Sequence, residues 1–557
     1  MPYRSLAKRV GNAVRLAELV QILVKHGFAD LVRRLGLHEG LPAKMLRGLR
    51  ILDVQEDIPE TLGSRLRAAL TQMGPSFIKF GQILSTRPDL IGVSLCQELT
   101  LLQDRVDPYP LERMRPVIEA SLGVAMEDLF LEFDATPIAA ASLSQVYRAR
   151  LRNHQPVAVK VQRPGIRDVI RSDVSLLRAI AEWIVEHVED LAWMDPVGTV
   201  DEFERSILRE LDYAIEARTV DQFNENFKGI ETVFVPRIYP DACSMQVLTM
   251  DWIDGVRVDA VDEYTARNST PKTVALNGCD ILCRQVFEHH LFHADPHPGN
   301  IMLLQRNQIA FLDYGMAGFL EKRDVNALAE LLLAVLQKNT RRCVEVIELF
   351  TTSGEVEDPL TLEHEVAEYV TFEAQSILGG GQVGRALEHV TYILRRHRLQ
   401  LSPRFSLLMK ALMTIESTGR ALDPEMDMVP VMRPYIERIV MQKYAPDNLM
   451  NEARLNAENF LRLGKDLPDD LRQLMRKLKR GKLNVHLNHE GLERVAAVTD
   501  RASNRVAFSV VTGSLIVGSS LLMSTEQAAQ TLGLFGFTIA GLLGFGLLIS
   551  ILRSRNY

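Results

Sequence analysis

The sequence predicts an α+β fold in two lobes, a small β-rich one followed by a larger helical one, set between an N-terminal helical extension and a C-terminal pair of membrane helices. Three observations carry this expectation. A buried-strand pattern closes on a single lysine, Lys160; Asp295, Asn300 and Asp313 follow in order around a hairpin pattern; and two runs near the C-terminus have no charged residue. The expected boundaries are 1–129 for the extension, 130–255 for the β-rich lobe, 256–440 for the helical lobe, 441–505 for a basic helical segment, and 506–523 and 532–552 for the membrane helices.

The 557 residues are 47% hydrophobic and 24% charged, which excludes a disordered or low-complexity chain. A net charge of −7 argues against a nucleic-acid partner, which asks for a basic domain or stripe. The five cysteines, Cys96, Cys243, Cys279, Cys283 and Cys343, form no CxxC pair, and a reducing compartment is expected.

In the extension, Leu16, Leu19, Val20, Leu23 and Val24 repeat at helical spacing beside Arg4, Lys8, Arg9 and Arg15. This is a packing helix or an interfacial one. No long apolar segment with a cleavage site follows, so it is not a secretory signal.

Residues 137–161 read as strands joined by a polar turn at Asn153 and His154, the last ending on Val-Ala-Val-Lys at Lys160. A lysine closing a buried strand needs a partner. One chemical use is to hold nucleotide phosphates while an acid on a following helix fixes its position. Downstream, Asp295 precedes Asn300 by five residues, and Asp313 precedes an aromatic residue and a glycine. That is the order of transfer carboxylate, first metal ligand and second metal ligand in kinases. The chemistry needs a carboxylate to orient the acceptor and hard oxygens for Mg2+ bridging the phosphates. Residues 301–312 between them have a hairpin pattern.

Two other patterns invite different chemistry. His289, His290, His293 and His297 could suggest zinc, but no cysteine or further fixed ligand accompanies them, and His293 is expected to pack and hydrogen-bond in the catalytic loop. Gly379, Gly381 and Gly384 spell GxGxxG between helical patterns, where a dinucleotide fingerprint would need a preceding strand. A helix connector is expected there.

The uncharged runs 506–523 and 532–552 each approach the roughly 20 residues that cross a bilayer. Arg501, Arg505, Arg553 and Arg555 flank their outer ends and the connector 524–530 has no basic residue, so both outer ends are expected on the cytoplasmic side. Gly536, Ala540 and Gly544 form a small-residue stripe that suits packing within the hairpin or between two chains as a homodimer. Arg472, Arg476, Lys477, Lys479, Arg480 and Lys482 form an acid-free basic stretch suited to an anionic leaflet.

With these residues in view, the chain resembles the UbiB family of atypical kinases over nearly its whole length. Residues 73–90 contain the family's KxGQ motif as Lys79, Phe80, Gly81 and Gln82; Glu98, Leu99, Gln103 and Asp104 echo a further family segment. Ala139, Ala140, Ala141 and Ser142 stand where other kinases have a Gly-rich loop, Glu210 and Asp212 form the ExD motif, and the catalytic loop reads His-Ala-Asp-Pro-His-Pro-Gly-Asn. The paired C-terminal helices are similar to those of the bacterial ubiquinone-biosynthesis members. Ser144 and Tyr147 depart from the family's usual Gly and His, without removing a group the mechanism needs.

The resemblance implies a kinase-like fold and roles for these positions. ATP and Mg2+ are the implied cofactors. Lys160 would contact phosphates and pair with Glu216; Pro137, Ile138, Ala139, Ala140, Ala141, Ser142, Leu143, Ser144 and Gln145 would cover the nucleotide; backbone groups near Met250 would meet adenine. Asp295 would be the transfer carboxylate, Asn300 and Asp313 the metal ligands. Lys79 would reach into the nucleotide site and meet Glu210 and Asp212, helping to block a protein substrate, with Gly81 and Gln82 as further regulatory positions of the motif.

The residues also argue against peptide phosphorylation. A helical pattern begins within about ten residues of Asp313 with no Ala-Pro-Glu, and Ala294 stands where many kinases have the arginine that reads activation-loop phosphate. Alanine resists the positive φ of a Gly-rich lid, so a stiff phosphate loop is expected. The expected activity is ATP hydrolysis, or transfer to a lipid-like acceptor, at a bacterial inner membrane. The resemblance implies a pathway, ubiquinone biosynthesis, with prenylated phenol or quinone intermediates and the enzymes of that pathway as partners. The alternatives are a protein kinase and a non-catalytic, nucleotide-gated lipid-binding module.

Overall fold

The computed structural model describes residues 13–34, 61–102, 106–352, 356, 358–372, 382–443, 492–523 and 533–545. Arg4, Lys8, Arg9, Gln103, Asp104, Gly379, Gly381, the basic stretch from Arg472 to Lys482, the connector 524–530, Arg553 and Arg555 lie outside the described residues. The chain divides into two compact units, Met1–Asn451 and Glu452–Tyr557.

In the first unit, α1 (Ala13–Lys25) buries Leu16, Leu19 and Val20, and is therefore a packing helix. Helix α2 (Leu62–Met73) starts at Thr61, whose hydroxyl oxygen accepts from the Ser64 N–H, and stops at Gly74. Gly74 has φ +102°, open to glycine, and Pro75 follows as the first residue of α3 (Pro75–Leu84). The Gly-Pro pair thus makes the corner that aims α3 and its Lys79. Gly81 lies against Leu70 and Leu102, where a Cβ would run into both side chains.

After α4 (Leu111–Leu122) come β1 (Phe130–Phe133), β2 (Ala139–Ala140), β3 (Ser144–Leu151) and β4 (Pro156–Gln162). With β6 (Val247–Asp251) they form an antiparallel sheet ordered β1-β3-β4-β6, β2 folding back on β3. Alternation along β4 decides which side faces the cleft. Val157, Val159 and Val161 pack on Met114 and Ile118 of α4, while Ala158 turns to the main core and Lys160 shares its face.

The lobe expected to be β-rich also contains three helices between β4 and β6: α5 (Ile166–His187), α6 (Pro196–Glu210) and α7 (Tyr213–Asn226). The extension packs on the first two. Leu16, Leu70, Phe77 and Ile78 share one core with Ile170, Val174, Phe203 and Ile207, and Leu143 from the β2–β3 turn belongs to it.

The helical lobe starts with α8 (Pro271–Cys283), which continues into a π-helical turn, Arg284–Glu288. A mixed sheet ordered β5-β10-β9-β7 joins β5 (Val233–Phe234), β7 (Val256–Arg257), β9 (Ile301–Leu303) and β10 (Ile309–Phe311); β8 (Leu291–His293) pairs with β11 (Ala317–Phe319). The expected hairpin is β9–β10, turning at Arg306 and Asn307 in left-handed conformation. Helices α9 (Lys322–Leu336), α10 (Thr340–Phe350), α11 (Pro359–Phe372), α12 (Val383–Arg396), α13 (Pro403–Leu422) and α14 (Val429–Lys443) complete the lobe. Gly384 lies in α12, whose first N–H groups donate to the buried carboxylate of Glu416.

The second unit contains α15 (Leu492–Met523) and a helix over 533–545. Among the described residues no helix is long and apolar enough to cross a membrane, so the two expected spans lack that support. The small-residue stripe packs within the chain: a Cβ at Gly536 would meet Ser519, Ala540 is buried, and Gly544 approaches Thr512.

Candidate active site

Lys160 is the centre of the cleft. Its Nζ lies 3.0 Å from both carboxylate oxygens of Glu216, in the first turn of α7, and 3.2 Å from Asp313 Oδ1. The Tyr213 ring faces the ammonium at 5.3 Å. Asp313 is further held by the Gly315 N–H at 2.9 Å, and Glu216 accepts from the Tyr314 N–H at 3.3 Å. Burial works against the Lys160 charge, but Asp313 and Glu216 outweigh it and hold the lysine well above its usual range. Burial pushes the Glu216 carboxyl up, to about 7, against the pull of Lys160. Asp313 stays below the ordinary carboxylate range despite its burial, because Lys160, the Gly315 N–H and the more distant Lys79 favour its charge.

These shifts give a pH dependence with a definite sign. Folded Glu216 titrates near 7 and in the unfolded chain near 4.5, so its contribution to stability is complete below about 4.5 and is lost as pH rises through about 7. Protonation meanwhile removes one counter-charge from Lys160. In free enzyme, kcat/KM for ATP is expected to fall on the acid side with an apparent pKa near 7, while wild type gains stability relative to Glu216→Gln over the same range. A flat kcat/KM profile between about pH 5.5 and 8 would contradict this.

The catalytic loop is organised by His293. The buried ring accepts from the Asp295 N–H through Nδ1 at 3.2 Å, and its Nε2 meets the Asp313 carbonyl. Both ring nitrogens are engaged, which leaves none for zinc and fixes the Nε2–H tautomer. Burial lowers the pKa of His293 and keeps the ring neutral. Its own N–H donates to Gln285 Oε1 at 2.9 Å, from the π-helical turn.

Asn300 Nδ2 donates to the Asp295 carbonyl at 3.3 Å, so that Oδ1 is the atom that could hold a metal. The Leu312 N–H donates to the Asn300 carbonyl, so the hairpin sets Asn300 beside Asp313. One carboxylate and one amide oxygen suit Mg2+, with nucleotide phosphates supplying further oxygens. Asp295 carries an ion pair absent from the sequence expectation: Lys410 of α13 lies 2.8 Å from its Oδ1.

The alanine loop is a tight hairpin. Ala139 stands opposite Val146 and Ala140 opposite Gln145, with the Ala141 N–H donating to the Ser144 carbonyl at 2.8 Å. Arg163 clamps it from β4's far end: its Nε donates to the Ala141 carbonyl and its N–H to the Leu143 carbonyl, at 2.8 and 2.9 Å. Pro137 and Ile138 remain accessible, whereas Ser142, Leu143, Ser144 and Gln145 are buried. Gln145 bonds both backbone groups of Tyr109 and the Tyr147 hydroxyl, so its amide serves the lobe's interior rather than the nucleotide. Met250 is a sheet residue opposite Ala158 with its side chain in the core, and the chain leaves the sheet only after Asp251.

Lys79 reaches Glu210, its Nζ 2.6 Å from Oε1. Asp212 instead caps α7, accepting from the Ala214 N–H at 3.1 Å. Gln82 donates to the Leu102 carbonyl and holds the extension to itself. Arg163, Gln285 and Lys410 were absent from the expected site; Arg163 and Gln285 act on backbone groups, which leave no residue-type pattern to read.

Comparison with known proteins agrees with this geometry. Residues 101–347 match the ABC1 atypical kinase-like domain, residues 380–427 the UbiB helical domain and residues 490–553 the ABC1/UbiB kinase-like C-terminal domain. The chain is 32% identical to a probable protein kinase UbiB of Aeromonas hydrophila, over 98% of this chain and 99% of that one. It is 35% identical to a probable protein kinase UbiB of Pseudomonas putida over 83% and 86%, and 29% identical to an uncharacterized protein in the hydrogenase 1 5' region of Clostridium pasteurianum over 98% and 99%. The chain belongs to the ABC1/UbiB family of atypical kinases.

Proposed function

We propose that this chain binds Mg-ATP in the cleft around Lys160 and hydrolyses it, or transfers its γ-phosphoryl group to a small lipid-like acceptor, in support of ubiquinone biosynthesis. The observation that carries the reading is the convergence of Lys160, Glu216 and Asp313 within hydrogen-bond distance, with Asp295 and Asn300 joined to them through His293 and the β9–β10 hairpin. Bound Mg2+ would neutralise phosphate charge. Lys160 would hold the phosphates, Glu216 would keep Lys160 in place, and Asp295 would orient the acceptor oxygen and take its proton.

A small acceptor fits better than a peptide. From Asp313 the chain passes through β11 into α9 at Lys322, with no segment between them to hold an extended substrate. The extension also packs on α5 and α6 and sends Lys79 to Glu210 beside the cleft. Membrane association is supported by the second unit, where Val506, Val510, Val517, Leu534, Phe535 and Leu542 are exposed apolar side chains. The protein would act at the cytoplasmic face of a bacterial inner membrane, held through these C-terminal helices. Prenylated phenols or quinones would be the lipid ligands, and biosynthetic enzymes the partners.

The test is ATP turnover by the full chain, in detergent and in anionic liposomes, with and without a phenolic lipid mimic. Turnover is expected to rise several-fold with lipid and mimic together, and labelled phosphate to appear as inorganic phosphate or phospholipid-like product. Stoichiometric labelling of a protein at catalytic rates would replace this reading by a protein kinase.

A further inference from the structure

We infer that Lys410 is the positioning residue for Asp295, supplied to the transfer site by helix α13 of the UbiB helical domain rather than by the catalytic loop. The inference rests on the reading of Asp295 as the transfer carboxylate. Lys410 lies 115 residues after Asp295 in the chain, and nothing in the local pattern around either residue announces the other. In the fold, its Nζ stands 2.8 Å from Asp295 Oδ1, with 14% of the lysine side chain and 24% of the aspartate side chain exposed. The neighbours Leu408, Met409, Ala411 and Leu412 are buried in the main core, so α13 presents the ammonium from a fixed support.

The two carboxylate oxygens of Asp295 are not equivalent. Oδ1 is taken by Lys410, whereas Oδ2 faces His297 Nε2 at 3.8 Å, beyond a hydrogen bond. Lys410 therefore fixes the rotation of the carboxylate and leaves Oδ2 to accept from an incoming O–H. In the transfer step the acceptor oxygen, of water or an alcohol, forms a bond to the γ-phosphorus while its proton passes to Oδ2. The bond from the γ-phosphorus to the β–γ bridging oxygen breaks, and its electron pair leaves with ADP. A carboxylate free to rotate would not hold Oδ2 toward that proton.

A purely structural ion pair would place its lysine equally well, but its loss would be felt in stability or in nucleotide affinity. The positioning role is felt in kcat. The experiment uses the full chain in liposomes, with Lys410→Met, Lys410→Arg, Asp295→Asn, the double variant Lys410→Met with Asp295→Asn, and Asp313→Asn as the control for ATP turnover itself. Lys410→Met is expected to lower kcat about 30-fold or more with KM for ATP within about threefold, and Lys410→Arg to recover a large part of the loss. The double variant is expected to be no slower than Asp295→Asn alone, because the lysine acts only through the carboxylate. Unchanged kcat in Lys410→Met, a loss confined to KM, or multiplying losses in the double variant would overturn the inference while leaving the ATP reading intact. Wild-type turnover no faster than that of Asp313→Asn would end the ATP reading and this inference together.

Discussion

Asp313→Asn is expected to reduce ATP turnover about 10³-fold, equivalent to ~4 kcal/mol of transition-state stabilisation, with the fold retained. The substitution keeps the size of the side chain and removes the charge that would hold metal and that now stands 3.2 Å from Lys160. The lysine keeps Glu216, so no buried ammonium is left unpaired. The loss of Asp313's charge also removes one of the groups that raise the Glu216 pKa, so the acid limb of kcat/KM should move to lower pH in any residual activity. Steady-state turnover beside a thermal melt checks both parts. A variant that keeps a tenth or more of wild-type turnover would remove Asp313 from the metal site.

The second large effect concerns Asp89 in the segment after α3. Its side chain is fully buried and pairs with Arg87, itself only 5% exposed, at 2.9 Å; it also accepts from the Leu401 N–H at 3.0 Å, just before α13. Arg87 reaches on to Glu202 of α6 at 3.1 Å. Asp89→Ala leaves a buried guanidinium short of its main partner and a backbone donor without an acceptor, at a cost of about 3–5 kcal/mol. Because Asp89 ties the extension to the helical lobe, the loss should appear as local opening. Amide exchange over α2 and α3 is expected to accelerate about 10²-fold or more, with a smaller change in β9 and β10. Uniform acceleration across the first unit would instead point to global destabilisation.

How much of this was legible depended on what each residue meets. That Lys160, Asp295, Asn300 and Asp313 lie near one another could be expected because the chemistry of a phosphate site restricts residue type and order, and the hairpin fixes the spacing of the last two. The β3–β4 pair could be read from its apolar alternation, whereas α5 and α6 went unseen because their apolar faces answer to an extension far away in the chain. Gln145 was misplaced for a local reason: the β2–β3 turn is tight, and the amide is committed to Tyr109 and Tyr147. Asp212 looked like a second partner for Lys79, but a side chain one residue before a helix finds the helix's free N–H first. The pairing of Lys410 with Asp295 lies beyond any local pattern, since only the path of α13 brings them together.

The burial of Leu143 bears on how a nucleotide would enter and leave the proposed site. The tip of the phosphate loop is an apolar member of the core that joins the extension to α5 and α6, and Arg163 ties the same turn through its backbone carbonyls. Lifting the loop alone would bring Leu143 into water and break those bonds together. Opening there would therefore be coupled to separation of the extension, and the dwell time of a nucleotide bound beside the loop would be governed by that interdomain seam rather than by the pliancy of a short lid.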